Sequence, residues 1–162
     1  MVQGHYQYQR ILQVGLFISA LSISLLVMAD DLAISSELEH GRSVSSIDQQ
    51  GYYNSAEVYQ QGANNSSMIT QHGSINRAQT SQRGNSNTAQ TLQSGAQNEA
   101  NILQQGQYHD ALILQQGFSQ TAAIQQTGIG GSAALIQKGS SQVPVSITQQ
   151  SRGRMQVQVI QQ

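Results

Sequence analysis

Nine glycines recur at a fixed interval of eleven residues: Gly51, Gly62, Gly73, Gly84, Gly95, Gly106, Gly117, Gly128 and Gly139. A glutamine stands two residues before each of them: Gln49, Gln60, Gln71, Gln82, Gln93, Gln104, Gln115, Gln126 and Gln137. An irregular globular core makes a different demand of every position. A fixed short period therefore specifies one small unit stacked on copies of itself. Eleven residues are too few for a helix pair, so the unit must be something thinner.

Taking each glycine as the origin, three further columns emerge. The third residue on is Asn54, Asn65, Asn76, Asn87, Asn98, His109, Gln120, Gly131 and Gln142. The fifth is Ala56, Ser67, Ala78, Ala89, Ala100, Ala111, Ala122, Ala133 and Pro144. The seventh begins Val58, Ile69, Thr80, Thr91, Ile102, Ile113, Ile124 and Leu135. Regular positions alternate with variable ones, which is the period of a strand with one buried face. Glycine falls in the turn, where its backbone freedom is useful.

The pattern predicts strands near 54–60, 65–71, 76–82, 87–93, 98–104, 109–115, 120–126 and 131–137. Two degenerate strands follow near 142–149 and 154–161, each with one inserted residue. A lone strand cannot bury its own face, whereas two strands folded across from each other can. The expected fold is all-β: a parallel β-solenoid of cross-β type, built from five 22-residue strand–turn–strand rungs. Each strand then pairs in parallel with the strand 22 residues on. Buried amides are costly when unpaired. Stacked at the strand spacing of about 4.7–4.8 Å, each amide, Asn on Asn and Gln on Gln, is expected to donate to the next and accept from the previous. The expected polymerisation ladder comprises Asn54, Gln60, Asn65, Gln71, Asn76, Gln82, Asn87, Gln93, Asn98, Gln104, Gln115, Gln126 and Gln137. Its turn glycines run from Gly62 to Gly139. A ladder is complete only where a rung has neighbours on both sides, so open ends invite nucleated, amyloid-like growth.

Composition agrees with this reading. The chain of 162 residues holds 30 Gln and 8 Asn, with 9% charged residues and no Trp. Such a polar chain without periodicity reads as disordered or prion-like. The net charge of −1 gives no bulk attraction for nucleic acid. With no cysteine, disulfides and thiolate metal sites are excluded.

Residues 1–29 read as an export signal: Arg10, an apolar run from Ile11 to Met28, then cleavage after Ala29. An uncleaved membrane anchor is the alternative, since eighteen residues is close to the spanning minimum. The expected mature chain has a leading segment, 30–51, and a five-repeat domain, 52–162, whose last repeat, about 140–162, is degenerate. Six acids (Asp30, Asp31, Glu37, Glu39, Asp48 and Glu57) gather at one end against Arg42. Beyond Asp110 the only charges are Lys138, Arg152 and Arg154. That polarity either orients subunits head to tail or is ordinary solvated surface. The last repeat reads either as a capping unit or as an attachment end carrying Arg152 and Arg154. Pro144 is expected to occupy an inward position and to remove a ladder donor.

The motif x-x-Asn-x-Ala-x-Ile-x-Gln-x-Gly, repeated in pairs over about residues 30–162, resembles the curlin subunits of bacterial curli fibres. Three features resemble the minor, nucleating subunit more than the major one. They are the opening Asp31-Leu32-Ala33, the Lys138-Gly139 junction after Ala-Leu-Ile-Gln, and the glycine-poor, arginine-bearing last repeat. The resemblance implies secretion through the curli outer-membrane channel, with residues about 30–51 as the recognition segment. It also implies attachment to the outer cell surface, and templating of the major subunit into fibres for adhesion and biofilm matrix. The alternative within the family is the major subunit itself. Ser67, Pro144, Thr80, Thr91, His109 and Gly131 depart from the motif.

Other function classes fit less well. His5, His40, His72 and His109 share no metal-ligand spacing, and single periodic glycines do not make a phosphate-binding loop. Neither catalysis nor a cofactor is expected. A soluble solenoid with a binding face needs a regular outward row, but the outward pairs vary: Glu57/Tyr59, Met68/Thr70, Gln79/Ser81, Gln90/Leu92.

Overall fold

The computed structural model describes residues 41–162. The expected export signal, its cleavage site and residues 30–40 lie outside the described residues. Among the described residues nine strands follow one another: β1 Val44–Tyr52, β2 Ser55–Gln61, β3 Ser66–Ser74, β4 Arg77–Asn85, β5 Thr88–Ala96, β6 Glu99–Phe118, β7 Thr121–Ser140, β8 Val145–Arg152 and β9 Gln156–Gln161. Pairing is parallel throughout. The offset between partners is 22 residues up to the end of β7, so Ile47 lies beside Ile69, Ile69 beside Thr91 and Thr91 beside Ile113.

The chain coils between two walls. The first wall stacks β1, β3, β5, the second half of β6, the second half of β7, and β9. The second wall stacks β2, β4, the first half of β6, the first half of β7, and β8. This is the expected solenoid of about five turns. β6 and β7 cross from wall to wall without interruption because pairing persists through the corner, with His109 beside Gly131.

Alanine and branched aliphatic columns fill the space between the walls. Ala78, Ala100 and Ala122 stack on the second wall with Ile102, Ile124 and Ile147; Ala89, Ala111 and Ala133 stack on the first with Ile113 and Leu135. Three columns carry a hydroxyl where this apolar filling belongs. Ser67, Thr80 and Thr91 are buried there with their oxygens unpartnered.

Two features depart from expectation. Val44–Tyr52 adds a strand ahead of the first one expected, because Gln49 and Gly51 extend the columns of Gln71 and Gly73 backwards. Strands also run through the glycine and one residue beyond, as in Ser66–Ser74, since corner backbones stack as regularly as the strands do. The corner proper is then short. Its second residue after each glycine is left-handed: Tyr53, Asn64, Ile75, Ser86, Gln97, Tyr108 and Ser119 have φ between 55° and 59°. Only Asn64 in that set is a residue at ease there. Ile75, β-branched and 53% exposed, is the most strained. Ile75→Asn is expected to raise the urea midpoint, corresponding to about 1 kcal/mol of added stability.

The last coil carries the two expected insertions. Ala122 pairs with Val145, and Ser132 with Gln156, so the offset grows to 23 and then 24 residues. The first insertion corrects the reading of Pro144. Val145, not Pro144, takes the alanine position, and Pro144 lies exposed just before β8, where it removes no ladder bond. Gln142 is likewise exposed and outside the asparagine column.

Candidate functional site

The ladder residues sit at the corners, inside the coil, where each strand ends against the start of the next. Along the first wall Gln49 donates from Nε2 to Gln71 Oε1. Gln71 donates to Gln93 at 2.7 Å, Gln93 to Gln115 at 2.8 Å, Gln115 to Gln137 at 2.9 Å and Gln137 to Gln161 at 2.8 Å. Along the second wall Gln60, Gln82, Gln104, Gln126 and Gln149 repeat the arrangement at 2.7–2.9 Å. The second amide hydrogen closes the coil, as Gln104 Nε2 donates to Thr88 O at 2.8 Å. Each interior glutamine thus has its oxygen and both hydrogens engaged, which removes the cost of burying a polar amide.

The asparagines stack with the opposite sense. Asn76 donates from both its backbone N and Nδ2 to Asn54 Oδ1, at 3.0 and 3.2 Å, and Asn98 does the same to Asn76. In the other corner Asn87 donates to Asn65. Every Nδ2 also reaches the carbonyl of the glycine in the next coil, for example Asn87 to Gly106 O at 3.0 Å. Asparagine therefore ties its side chain to both the side chains and the backbone of neighbouring coils, whereas glutamine meets the glutamines before and after it side chain to side chain.

Both asparagine columns end before the stack does. One runs Asn54, Asn76, Asn98 and then Gln120, whose Oε1 is buried without a partner. The other runs Asn65, Asn87, His109 and then Gly131. His109 is buried, with Nε2 3.1 Å from Gly128 O and Nδ1 unpartnered. Desolvation lowers its pKa, while hydrogen bonds to the backbone at Gly128 and Gln105 oppose the shift. With the folded value depressed, the neutral ring fits at pH above about 6.5, and stability is lost as pH falls below that. His109→Asn is expected to extend the column, stabilise the fold by about 1 kcal/mol and flatten this acid-side loss in pH-dependent urea unfolding.

Neither periodicity nor composition signalled the left-handed corner residues; the corner's backbone imposes that conformation whichever side chain is present. Ser43 was also missed. It precedes β1 at the place of an asparagine, with its Oγ donating to Gly62 O and accepting from Asn65 N. Arg152 and Arg154 are exposed at the last corner. Among the described residues, no group of three His, Asp or Glu is placed to hold a metal ion.

The fold and its corners define a parallel in-register solenoid whose buried polar groups are satisfied chiefly by the equivalent groups of the neighbouring coil. Residues 46–73, spanning most of β1, all of β2 and most of β3, match the family model described as Curlin associated repeat. That match marks this stretch of the stack as similar to the repeat of that description. No curated protein and no solved structure matches the chain.

Proposed function

We propose that this chain is the minor curli subunit, which nucleates polymerisation of the major subunit at the bacterial outer surface. The observation that carries the reading is the stack itself: identical amides, coil upon coil at a constant offset, in a chain that holds a Curlin associated repeat. A further coil with glutamine and asparagine at the same positions extends that pattern with no new chemistry. The polymerisation ladder is the set of Asn54, Asn65, Asn76, Asn87 and Asn98 together with Gln60, Gln71, Gln82, Gln93, Gln104, Gln115, Gln126 and Gln137. The role is structural, with no catalytic step.

The nucleating role, rather than that of the major subunit, is favoured by the last coil. There the insertions shift the offset, Ser151 replaces the stacked glycine, and Arg152 and Arg154 stand exposed, a suitable surface for anionic attachment. Residues 1–29 serve as the export signal and 30–51 as the segment presented to the secretion channel, with 44–51 also folding as β1. The test is seeding. The mature chain, added at a low ratio, should abolish the lag of major-subunit polymerisation followed by thioflavin fluorescence. Gln60→Ala with Asn65→Ala should lengthen the lag several-fold; an unchanged lag would remove the amide ladder from the explanation.

A further inference from the structure

The outward faces of the two walls are unlike. On the second wall the outward columns read Glu57, Gln79, Asn101, Ala123, Ser146 and Tyr59, Ser81, Leu103, Gln125, Thr148, with Arg77, Arg83 and Glu99 beside them. That wall is an ordinary solvated surface. On the first wall one column reads Asp48, Thr70, Leu92, Leu114, Ile136, Ile160, and the adjoining one Ser46, Met68, Gln90, Leu112, Ala134, Gln158. Four branched aliphatic residues in succession, with Leu112 and Ala134 alongside, make an apolar stripe running along the stacking direction. The stripe is not needed for the core, which lies on the opposite face of the same strands.

We propose that this face is where a second copy of the chain packs sideways, so that assembled stacks run in pairs. A two-fold axis parallel to the stack sets Leu112 against the copy's Leu114 and Ala134 against the copy's Ile136. In the same arrangement the exposed Asp110, at the start of its strand, faces the copy's Gln116, one coil from the exposed Lys138 that pairs with Gln116. Lysine's reach spans that step, so opposite charges bracket the stripe on both sides. The polar second wall leaves nothing for a third stack, which limits the assembly to two.

The size of the stripe decides when pairing occurs. Four strands at about 4.8 Å and two columns of about 7 Å give roughly 250–300 Å² per copy. A stable complex of separate molecules needs about 800 Å² per partner. Single molecules therefore stay apart, and the face acts only where stacking places many copies of the stripe in line. This inference rests on the polymerising role proposed above.

The test is electron microscopy of filaments grown from the full mature chain, together with sedimentation of the unassembled protein. The unmodified chain should sediment as a monomer before assembly and then show most filament length laminated in pairs. Leu114→Lys with Ile136→Lys should cut the paired fraction at least five-fold, while Leu103→Lys with Gln125→Lys on the other wall should leave it unchanged. Asp110→Lys should also reduce pairing, and Lys138→Asp added to it should restore it. Single filaments from the unmodified chain, or no rescue by the charge exchange, overturn the lateral face and leave polymerisation standing. Absence of filaments of any kind overturns the polymerising role and this inference with it.

Discussion

Gly95→Ala is expected to be among the most damaging single substitutions in the chain, costing about 3–5 kcal/mol. A Cβ built on Gly95 lies 2.0 Å from the carbonyl oxygen of Gly117 in the next coil, and φ of +120° adds strain for any L side chain. The obstacle is backbone, held by pairing on both flanks, so it cannot rotate away as a side chain tip does. Relief requires opening the stack at that corner. Gly139 is the control. Its φ of +90° carries the same kind of strain, but nothing lies within 4 Å of its added Cβ. Gly139→Ala should therefore cost only about 1–2 kcal/mol in the isolated protein. Urea unfolding of the two variants checks the difference. Equal losses would mean that backbone strain alone, and not coil-on-coil contact, reserves these positions for glycine.

Gln104→Glu is expected to be nearly as harmful at neutral pH and to recover in acid. Gln104 is fully buried, accepts from Gln82, and donates to Gln126 Oε1 and to Thr88 O. A carboxylate there keeps the acceptor and loses both donors, leaving an oxygen facing Gln126 Oε1 and another buried carbonyl without its hydrogen. Unpaired buried groups cost about 1–3 kcal/mol each, and more when charged. Protonation supplies one donor and removes the charge, so the folded-state pKa must rise above the ordinary glutamate value of about 4.3. By linkage, the stability of the variant is greatest below that value and is lost as pH rises through the elevated one. Gln105→Glu, one residue along on the exposed side, should show no such dependence. A pH series of urea midpoints for the pair decides it. If Gln104→Glu is equally stable at pH 4 and pH 7, the glutamine column does not bear the energetic weight assigned to it.

Much of this was legible in the residues because the structure asks the same of each coil. Period two identifies the strands, and the eleven-residue interval fixes which glutamines and asparagines occupy equivalent positions. The doubling to 22 residues follows from the need to bury one face of each strand, and the pairing of Ala56 with Ala78 and of Gln60 with Gln82 bears it out. What escaped lay where one coil differs from the next. The insertion before Val145 moved the register by one residue and put Pro144 outside the strand, because β8 slides to keep Ile147 and Gln149 in their columns. Strand β1 was hidden because Ser43 and Ser45 replace the asparagine and alanine that mark later coils. The opposite senses of the two amide sets were not legible either, since spacing says which side chains meet and not which end donates.

Those opposed senses reach beyond the single molecule. Glutamine carbonyls look toward the coil before and asparagine carbonyls toward the coil after, so each coil is threaded like one turn of a screw. An inverted member would bring oxygen against oxygen and hydrogen against hydrogen at every corner. In the polymerising role proposed above, filaments lengthening from separate origins with contrary thread cannot weld tip to tip when they meet. Their number is then set by the count of origins, and their lengths by how the available material is divided among them.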